Sequence, residues 1–257
     1  KLTCISAERV QAELVKLVTS PHPENLRIAY AAGITKVILP EFDVCMETQQ
    51  KNPHHCYSVG EHILKSMQEI KPDKVLRLAM LFHDIGKPQT ITIDEKGIYH
   101  FHEHQTVSEE MAMKILKRLK FDNDTVYMVT KLVRYHDYEV EAQAKYVRRA
   151  ILKIGEDIFP LLFQVKEADL KAQSMYLREE KEKRLNEVYK VYEQVVKDRQ
   201  CVSLKTLAIK GKDLIEEAGM QPGCEIGDML RRLLDVVIED PSQNNRENLL
   251  KLARQIK

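Results

Sequence analysis

The sequence predicts an all-helical fold with one short β-hairpin, and three observations lead there. Apolar residues recur at helical spacing through most of the chain, strict alternation is confined to residues 90–101, and His or Asp residues close successive apolar segments. A set of His and Asp side chains ending separate helices is what a metal centre inside a helical bundle requires.

The elements follow in order. Ser6 is a good helix cap, and Val10, Leu14, Leu17 and Val18 fall at helical spacing behind it, so residues 6–19 form a packing helix. Pro21 and Pro23 break it, residues 25–32 give a second helix ended by Gly33, and residues 37–42 close this helical hairpin. A polar loop with His54 and His55 leads into a helix around His62, where Tyr57, Val59, Ile63 and Leu64 mark a partly buried face. Adjacent side chains on a loop diverge and loop histidines are ordinarily solvated, so His54 and His55 stand outside the candidate set. The apolar run 75–82 reads as a buried helix stopped by Gly86 and Pro88. Residues 90–93 and 98–101 alternate around Asp94-Glu95-Lys96-Gly97 as a hairpin, and His100, His102 and His104 continue the alternation. Helices are expected over 108–119, from a cap at Asp122 or Asn123 to His136, and over 144–155 and 158–174. Residues 176–199 turn densely charged, with Glu179/Lys183 and Glu180/Arg184 four apart, which predicts a long exposed helix. A smaller module completes the chain: a helix over 206–219, a turn over 221–227, an amphipathic helix on Met229, Leu233, Leu234, Val237 and Ile238, and a last helix over 245–256. Arg231 and Arg232 lie off its apolar stripe, open to phosphate or simply to solvent.

At 257 residues the chain is long enough to bury a substantial core. A net charge of +1 with 31% charged residues means that any nucleic-acid binding must come from local patches rather than from the chain as a polycation. The five cysteines are scattered without a Cys-x-x-Cys pair, whereas nine histidines favour a metal centre built on imidazole. No apolar run approaches a membrane span and no signal peptide is recognisable, so a reduced, cytoplasmic setting without membrane association is expected. The chain opens on Lys1 rather than Met, so it is expected to be part of a longer protein.

The chemistry centres on His83-Asp84-Ile85-Gly86-Lys87. An adjacent His-Asp pair offers one borderline nitrogen and one hard oxygen to a single divalent cation, and a buried carboxylate is costly without such a partner. His62, His104, His136 and Asp169 lie on other predicted helices. Alone, His136 reads as a solvent-facing helix end and Asp169 as a surface carboxylate; as a set with His62, His83, Asp84 and His104 they read as metal ligands. Asp84 is expected to touch or bridge the cations, because a carboxylate has two oxygens while each imidazole nitrogen serves one.

The order His, then His-Asp, then a distant Asp, with Gly-Lys after the pair, resembles the HD-domain metal phosphohydrolases. A closer resemblance runs through Ile5-Ser6-Ala7-Glu8-Arg9-Val10, Ile38-Leu39-Pro40-Glu41, Pro53-His54-His55-Cys56-Tyr57-Ser58-Val59, Tyr146-Val147-Arg148-Arg149-Ala150 and Pro222-Gly223-Cys224-Glu225-Ile226-Gly227. Together these look like the carboxy-terminal part of a bacterial tRNA nucleotidyltransferase of the CCA-adding and poly(A) polymerase family, of the kind with a fused HD domain. The sequence has Glu103-His104-Gln105 where many relatives have Gly-His-Glu. The resemblance implies a helical neck over 1–50, an HD metal-binding domain over 51–175, and a charged helix with a helical tail over 176–257. It implies one or two divalent ions, with Mg, Mn, Ni, Co, Fe and Zn not distinguished, and tRNA or other RNA 3′ ends and nucleotides as partners. His83, Asp84 and Lys87 are then the candidate catalytic residues, with Lys87 and Arg134 as substrate cations. No Gly-Ser followed by Asp-x-Asp is found, so the nucleotide-adding head is expected upstream of Lys1.

Three functions compete at this stage. The first is hydrolysis of phosphomonoesters or 2′,3′-cyclic phosphates, including those at RNA ends. The second is a tRNA-binding scaffold whose metal site is vestigial, and the third a nucleotide or dNTP hydrolase on the same core.

Overall fold

Helix α1 (Ala7–Val18) starts where the Ser6 hydroxyl accepts from the Arg9 amide, and it buries Leu14 and Val18. The structure, a computed structural model, describes residues 5–200 and 203–256. Two short helices follow, α2 (Leu26–Ala31) and α3 (Thr35–Ile38). Pro40 was expected within a closing turn; instead it opens a further helix, α4 (Pro40–Glu47), because proline's fixed φ suits a first helical position. Helix α4 buries Phe42 and Cys45 and lies close against α5 (Val59–Gln68), where a Cβ on Gly60 would fall 2.7 Å from the Met46 backbone.

Helix α6 (Lys74–Phe82) is capped by Asp73, whose Oδ1 accepts from the Val75 and Leu76 amides, and all its residues from Leu76 to Phe82 are buried. Buried Arg77 is satisfied by the carbonyls of Lys71 and Val18, each at 3.2 Å. The helix ends at His83, but Pro88 does not stop the chain: it sits in the one-turn helix α7 (Lys87–Thr90). Strands β1 (Ile91–Ile93) and β2 (Tyr99–Phe101) pair antiparallel, Ile91 opposite Phe101 and Ile93 opposite Tyr99. Asp94 accepts from the Lys96 and Ile98 amides and Gly97 takes φ +76°, which closes the turn.

Helix α8 (His104–Arg118) begins four residues before the expected 108 start, so His104 is helical and leaves the strand alternation. Asp122 is the cap of α9 (Asn123–Tyr135), accepting from the Thr125 amide at 2.7 Å. Then come α10 (Ala144–Ile154), α11 (Phe159–Ala172), α12 (Arg178–Lys197), α13 (Gly211–Glu216), α14 (Cys224–Glu239) and α15 (Arg246–Ile256). Helix α13 is much shorter than the 206–219 expected: Ala208 and Lys210 donate their amides to Asn244 and Asp213 side chains instead of to helix carbonyls.

Among the described residues the only strands are this pair, so the fold is all-helical with one short hairpin. None of the described helices is long and apolar enough to cross a membrane. The chain divides into two compact units, one of residues 5–139 and 160–185, the other of 140–159 and 186–256. In the first, α9 packs on α6 and α8, and α5 packs on α4 and α6, around Phe42, Ile63, Leu64, Met67 and Phe82. In the second, α14 packs on α10, α13 and α15 through Met229, Leu233, Leu234 and Val237. There Arg148 donates from Nε to the Ile238 carbonyl at 2.8 Å, satisfying the end of α14. Cys45 is buried, and Cys56 and Cys224 are exposed and unbonded; Cys4 and Cys201 lie outside the described residues.

Candidate metal centre

The packing of five helices and one turn brings all six candidate ligands together in the first unit. His62 lies within α5, His83 caps α6, Asp84 follows in the turn, His104 opens α8, His136 caps α9, and Asp169 lies in the last turn of α11. All six are buried. Helices whose apolar residues pack in the core carry them inward.

Three of the imidazoles are held in one way. His83, His104 and His136 each set Nδ1 on the carbonyl three residues earlier, Met80, Phe101 and Val133, at 2.7, 2.8 and 2.7 Å. His62 Nδ1 lies 3.4 Å from the Ala172 carbonyl. Since a carbonyl only accepts, Nδ1 carries the proton and the Nε2 lone pair faces inward. The Nε2 atoms of His62 and His83 stand 3.2 Å apart, as do those of His104 and His136. Facing lone pairs at that distance repel unless a cation lies between them. Burial works against a charged His83, but Asp84 and Asp169 outweigh it and lift its pKa to about 10, so with only protein groups around it a proton takes the inward Nε2 position that a metal ion would otherwise fill. His136 goes the other way, lowered by burial to about 4.

Asp84 divides its carboxylate between the two histidine pairs. Oδ2 is 3.5 and 3.4 Å from the Nε2 atoms of His62 and His83, while Oδ1 is 3.3 and 3.8 Å from those of His104 and His136. Asp169 Oδ1 joins the first pair, 2.8 Å from His62 Nε2. His62, His83 and Asp84 form one group with donor atoms close enough for a single cation, and Asp84, His104 and His136 form a second. Asp84 Oδ2 is buried and receives no hydrogen bond, although Lys87 Nζ lies 2.6 Å away as an ion pair. An under-satisfied oxygen beside inward imidazole lone pairs fits one or two divalent ions of the borderline class. Burial pushes the Asp84 carboxyl up, but His83 and Lys87 hold it well below the usual range; His62 and His83 do the same for Asp169.

Around this cluster the structure corrects several expectations. His55, read as solvated, packs edge-on to His62 with ring centroids 4.9 Å apart, and burial with the neighbouring Lys87 charge lowers its pKa to about 2. Lys87 is buried between Asp84 and Gln50, with Nζ 2.9 Å from Gln50 Oε1. Asp137 was passed over, yet its carboxylate oxygens lie 3.5 and 3.9 Å from the Nε2 atoms of His104 and His136. The available clue was that His136-Asp137 repeats the His-Asp dipeptide of 83–84. Helix α12 exposes Glu179, Glu180, Lys183 and Arg184, but Lys181 is half-buried, against the wholly exposed helix expected. Arg134 is bonded to Thr106, with Nε 3.6 Å from Glu109 Oε2, so its guanidinium is engaged with α8. Glu103, the residue that departs from the Gly-His-Glu pattern, takes φ +59°, a left-handed conformation that glycine adopts without cost.

Comparison with known proteins gives the chain its family. Residues 89–253 match the family described as tRNA nucleotidyltransferase domain 2, and residues 1–46 match one described as "Probable RNA and SrmB- binding site of polymerase A". The chain is 34% identical over 239 residues to the CC-adding tRNA nucleotidyltransferase of Thermus thermophilus, an alignment covering 90% of this chain and 53% of that protein. It is 28% identical over 244 residues to the A-adding tRNA nucleotidyltransferase of Deinococcus radiodurans, covering 89% and 54%. A multifunctional CCA protein of Janthinobacterium is 31% identical over 134 residues, covering 50% and 32%. The chain thus spans about half the length of the first two relatives. With a family match across well over half of its residues, the chain belongs to the tRNA nucleotidyltransferase domain 2 family.

Proposed function

We propose that this chain is the RNA-binding and HD-type portion of a tRNA nucleotidyltransferase of the CCA-adding and poly(A) polymerase family, and that its buried centre hydrolyses phosphate esters. The observation that carries the hydrolytic reading is the division of Asp84 between two inward-facing histidine pairs. In this reading His62, His83, Asp84 and Asp169 hold a first divalent ion, and His104, His136 and Asp84 a second. Such ions supply a lowered pKa for water and neutralise phosphoryl charge. The protein's own share is orientation: carbonyls fix the imidazole tautomers, and the Lys87 ammonium, pinned by Gln50, offsets negative charge beside Asp84. Arg134, held against α8 by Thr106 and Glu109, is the second candidate cation for substrate. The substrates are phosphomonoesters and 2′,3′-cyclic phosphates at RNA ends, in a cytoplasmic tRNA-processing protein whose nucleotide-adding head lies elsewhere. The name of the Janthinobacterium relative, a multifunctional CCA protein, supports more than one activity in such chains.

The match of residues 1–46 to an RNA-binding family supports the scaffold reading as well. The two readings separate in one experiment: metal analysis of the purified chain, followed by phosphatase and cyclic-phosphodiesterase assays with Ni, Mn, Co or Mg. Metal bound with turnover of RNA-end phosphates supports the hydrolytic reading. Silence on these substrates with every ion, while tRNA still binds, leaves the scaffold. Preferred turnover of dNTPs or guanosine polyphosphates would assign the chain to the nucleotide hydrolases instead.

A further inference from the structure

Next to the centre, in the same unit, lies a group that neither the metal ligands nor the fold accounts for. Lys181, in the first turn of α12, is half-buried, and its Nζ has only neutral partners: Gln173 Oε1 at 2.7 Å and His54 Nδ1 at 3.2 Å. No carboxylate stands within ion-pair distance of it among the described residues. A partly desolvated ammonium held only by an amide and an imidazole lacks part of the stabilisation that water gives it, which an anion would supply. The same Gln173 donates from Nε2 to Asp169 Oδ2 at 2.9 Å, so a continuous polar path leads from the metal ligand Asp169 through Gln173 to Lys181 and His54.

A second observation points at the same place. Met175, Tyr176 and Leu177 are three consecutive apolar residues, 71%, 50% and 47% exposed, directly between α11 and α12. The segment is not loose. Ser174 donates its amide to the His54 carbonyl at 2.9 Å and its hydroxyl to the Pro53 carbonyl at 2.6 Å, and Leu177 is held at φ +55°. Tyr176 meets the His54 ring edge-on at a centroid distance of 5.0 Å while half its surface faces solvent. An aromatic ring anchored on one side and open on the other, beside a cation that makes no ion pair, is how proteins take single-stranded nucleotides: the base stacks and the phosphate meets the charge.

Resting on the phosphohydrolase reading above, we infer that Lys181 and Tyr176 form the nucleotide subsite of this centre, Tyr176 stacking the terminal base of an RNA 3′ end and Lys181 meeting the adjoining internucleotide phosphate. The substrate class is therefore an oligonucleotide bearing a terminal phosphate, not a free small phosphomonoester. Lys181 and Tyr176 are binding residues, and Gln173 positions Lys181 relative to Asp169.

The test uses the full chain and two readouts. Fluorescence anisotropy follows binding of a short labelled RNA ending in a 3′-phosphate, and steady-state assays compare that RNA with p-nitrophenyl phosphate. Lys181→Ala and Tyr176→Ala should each weaken RNA binding about tenfold, the size of one lost stacking or charge contact. KM for the RNA should rise by far more than KM for p-nitrophenyl phosphate, with kcat for the RNA kept. Lys181→Arg and Tyr176→Phe should recover most of the loss, and the exposed neighbour Lys183→Ala should change neither readout. RNA binding that is equal in the parent, Lys181→Ala and Tyr176→Ala overturns the subsite, whatever the hydrolysis assay reads. If the parent turns over no phosphoester, the phosphohydrolase reading falls, and the anisotropy comparison alone decides whether this surface binds RNA ends.

Discussion

A carboxylate shared between two histidine pairs is chemically unlike the four imidazoles around it, and single substitutions expose the difference. Replacing Asp84 by Ala removes an oxygen from both groups at once, so the variant should lose most of its bound metal and all hydrolysis. His136→Ala touches only the group of Asp84, His104 and His136, and should keep the ion held by His62, His83 and Asp169 while losing much of the activity. Metal stoichiometry beside circular dichroism distinguishes the two, and an Asp84→Ala variant retaining metal and activity places the site elsewhere. These residues were legible in the sequence because His and Asp at the ends of apolar helices are costly to bury without a purpose. Asp137 and His55 were not. Asp137 is half-exposed, as a surface carboxylate would be, and His55 is half-buried only because α5 and Lys87 close over a loop whose local sequence reads as polar.

At the scale of the element, the caps position the ligands. Asp122 holds the start of α9, whose far end is His136, and its backbone and side-chain bonds to Thr125 keep the carboxyl at about 2. A depressed folded pKa contributes stability above the unfolded value, near 3.9, that is lost as pH falls toward 2. Asp122→Ala should therefore cost about 1 kcal/mol near neutrality. The gap between the denaturant midpoints of the two proteins should shrink steadily as pH falls from 4 to about 2, and a gap at pH 2 as large as at neutrality would show that the cap works without its charge. Glu103 offers the opposite case: glycine there removes the left-handed penalty of about 1–2 kcal/mol, so Glu103→Gly should raise the melting temperature. Gly86 is set for close approach, since a Cβ would stand 2.6 Å from the Ser108 amide nitrogen on α8. Gly86→Ala should push the His83–Asp84 turn away from His104, destabilising by about 1–3 kcal/mol and lowering metal affinity in a chelator competition. The helices themselves were readable from cap and period, whereas α4 was hidden because Pro40 serves a helix start as well as a turn. The inward Lys181 was hidden for a different reason: a mixed-charge run looks solvated all round, and only packing decides which of its charges turns in.

The whole molecule is two units whose chain segments interleave, the first interrupted by residues 140–159 and resumed at 160. Five of the six proposed ligands precede that interruption and Asp169 follows it. A protein made from its amino end therefore presents Asp84, His104 and His136 together while the carboxylate that joins His62 and His83 is still unmade. On the proposed two-ion reading, the ion on Asp84, His104 and His136 draws only on residues before the interruption, and the other takes its fourth ligand, Asp169, from beyond it. Asp169→Ala removes that fourth ligand from a chain that is otherwise whole, and its metal stoichiometry should fall by one ion relative to the parent.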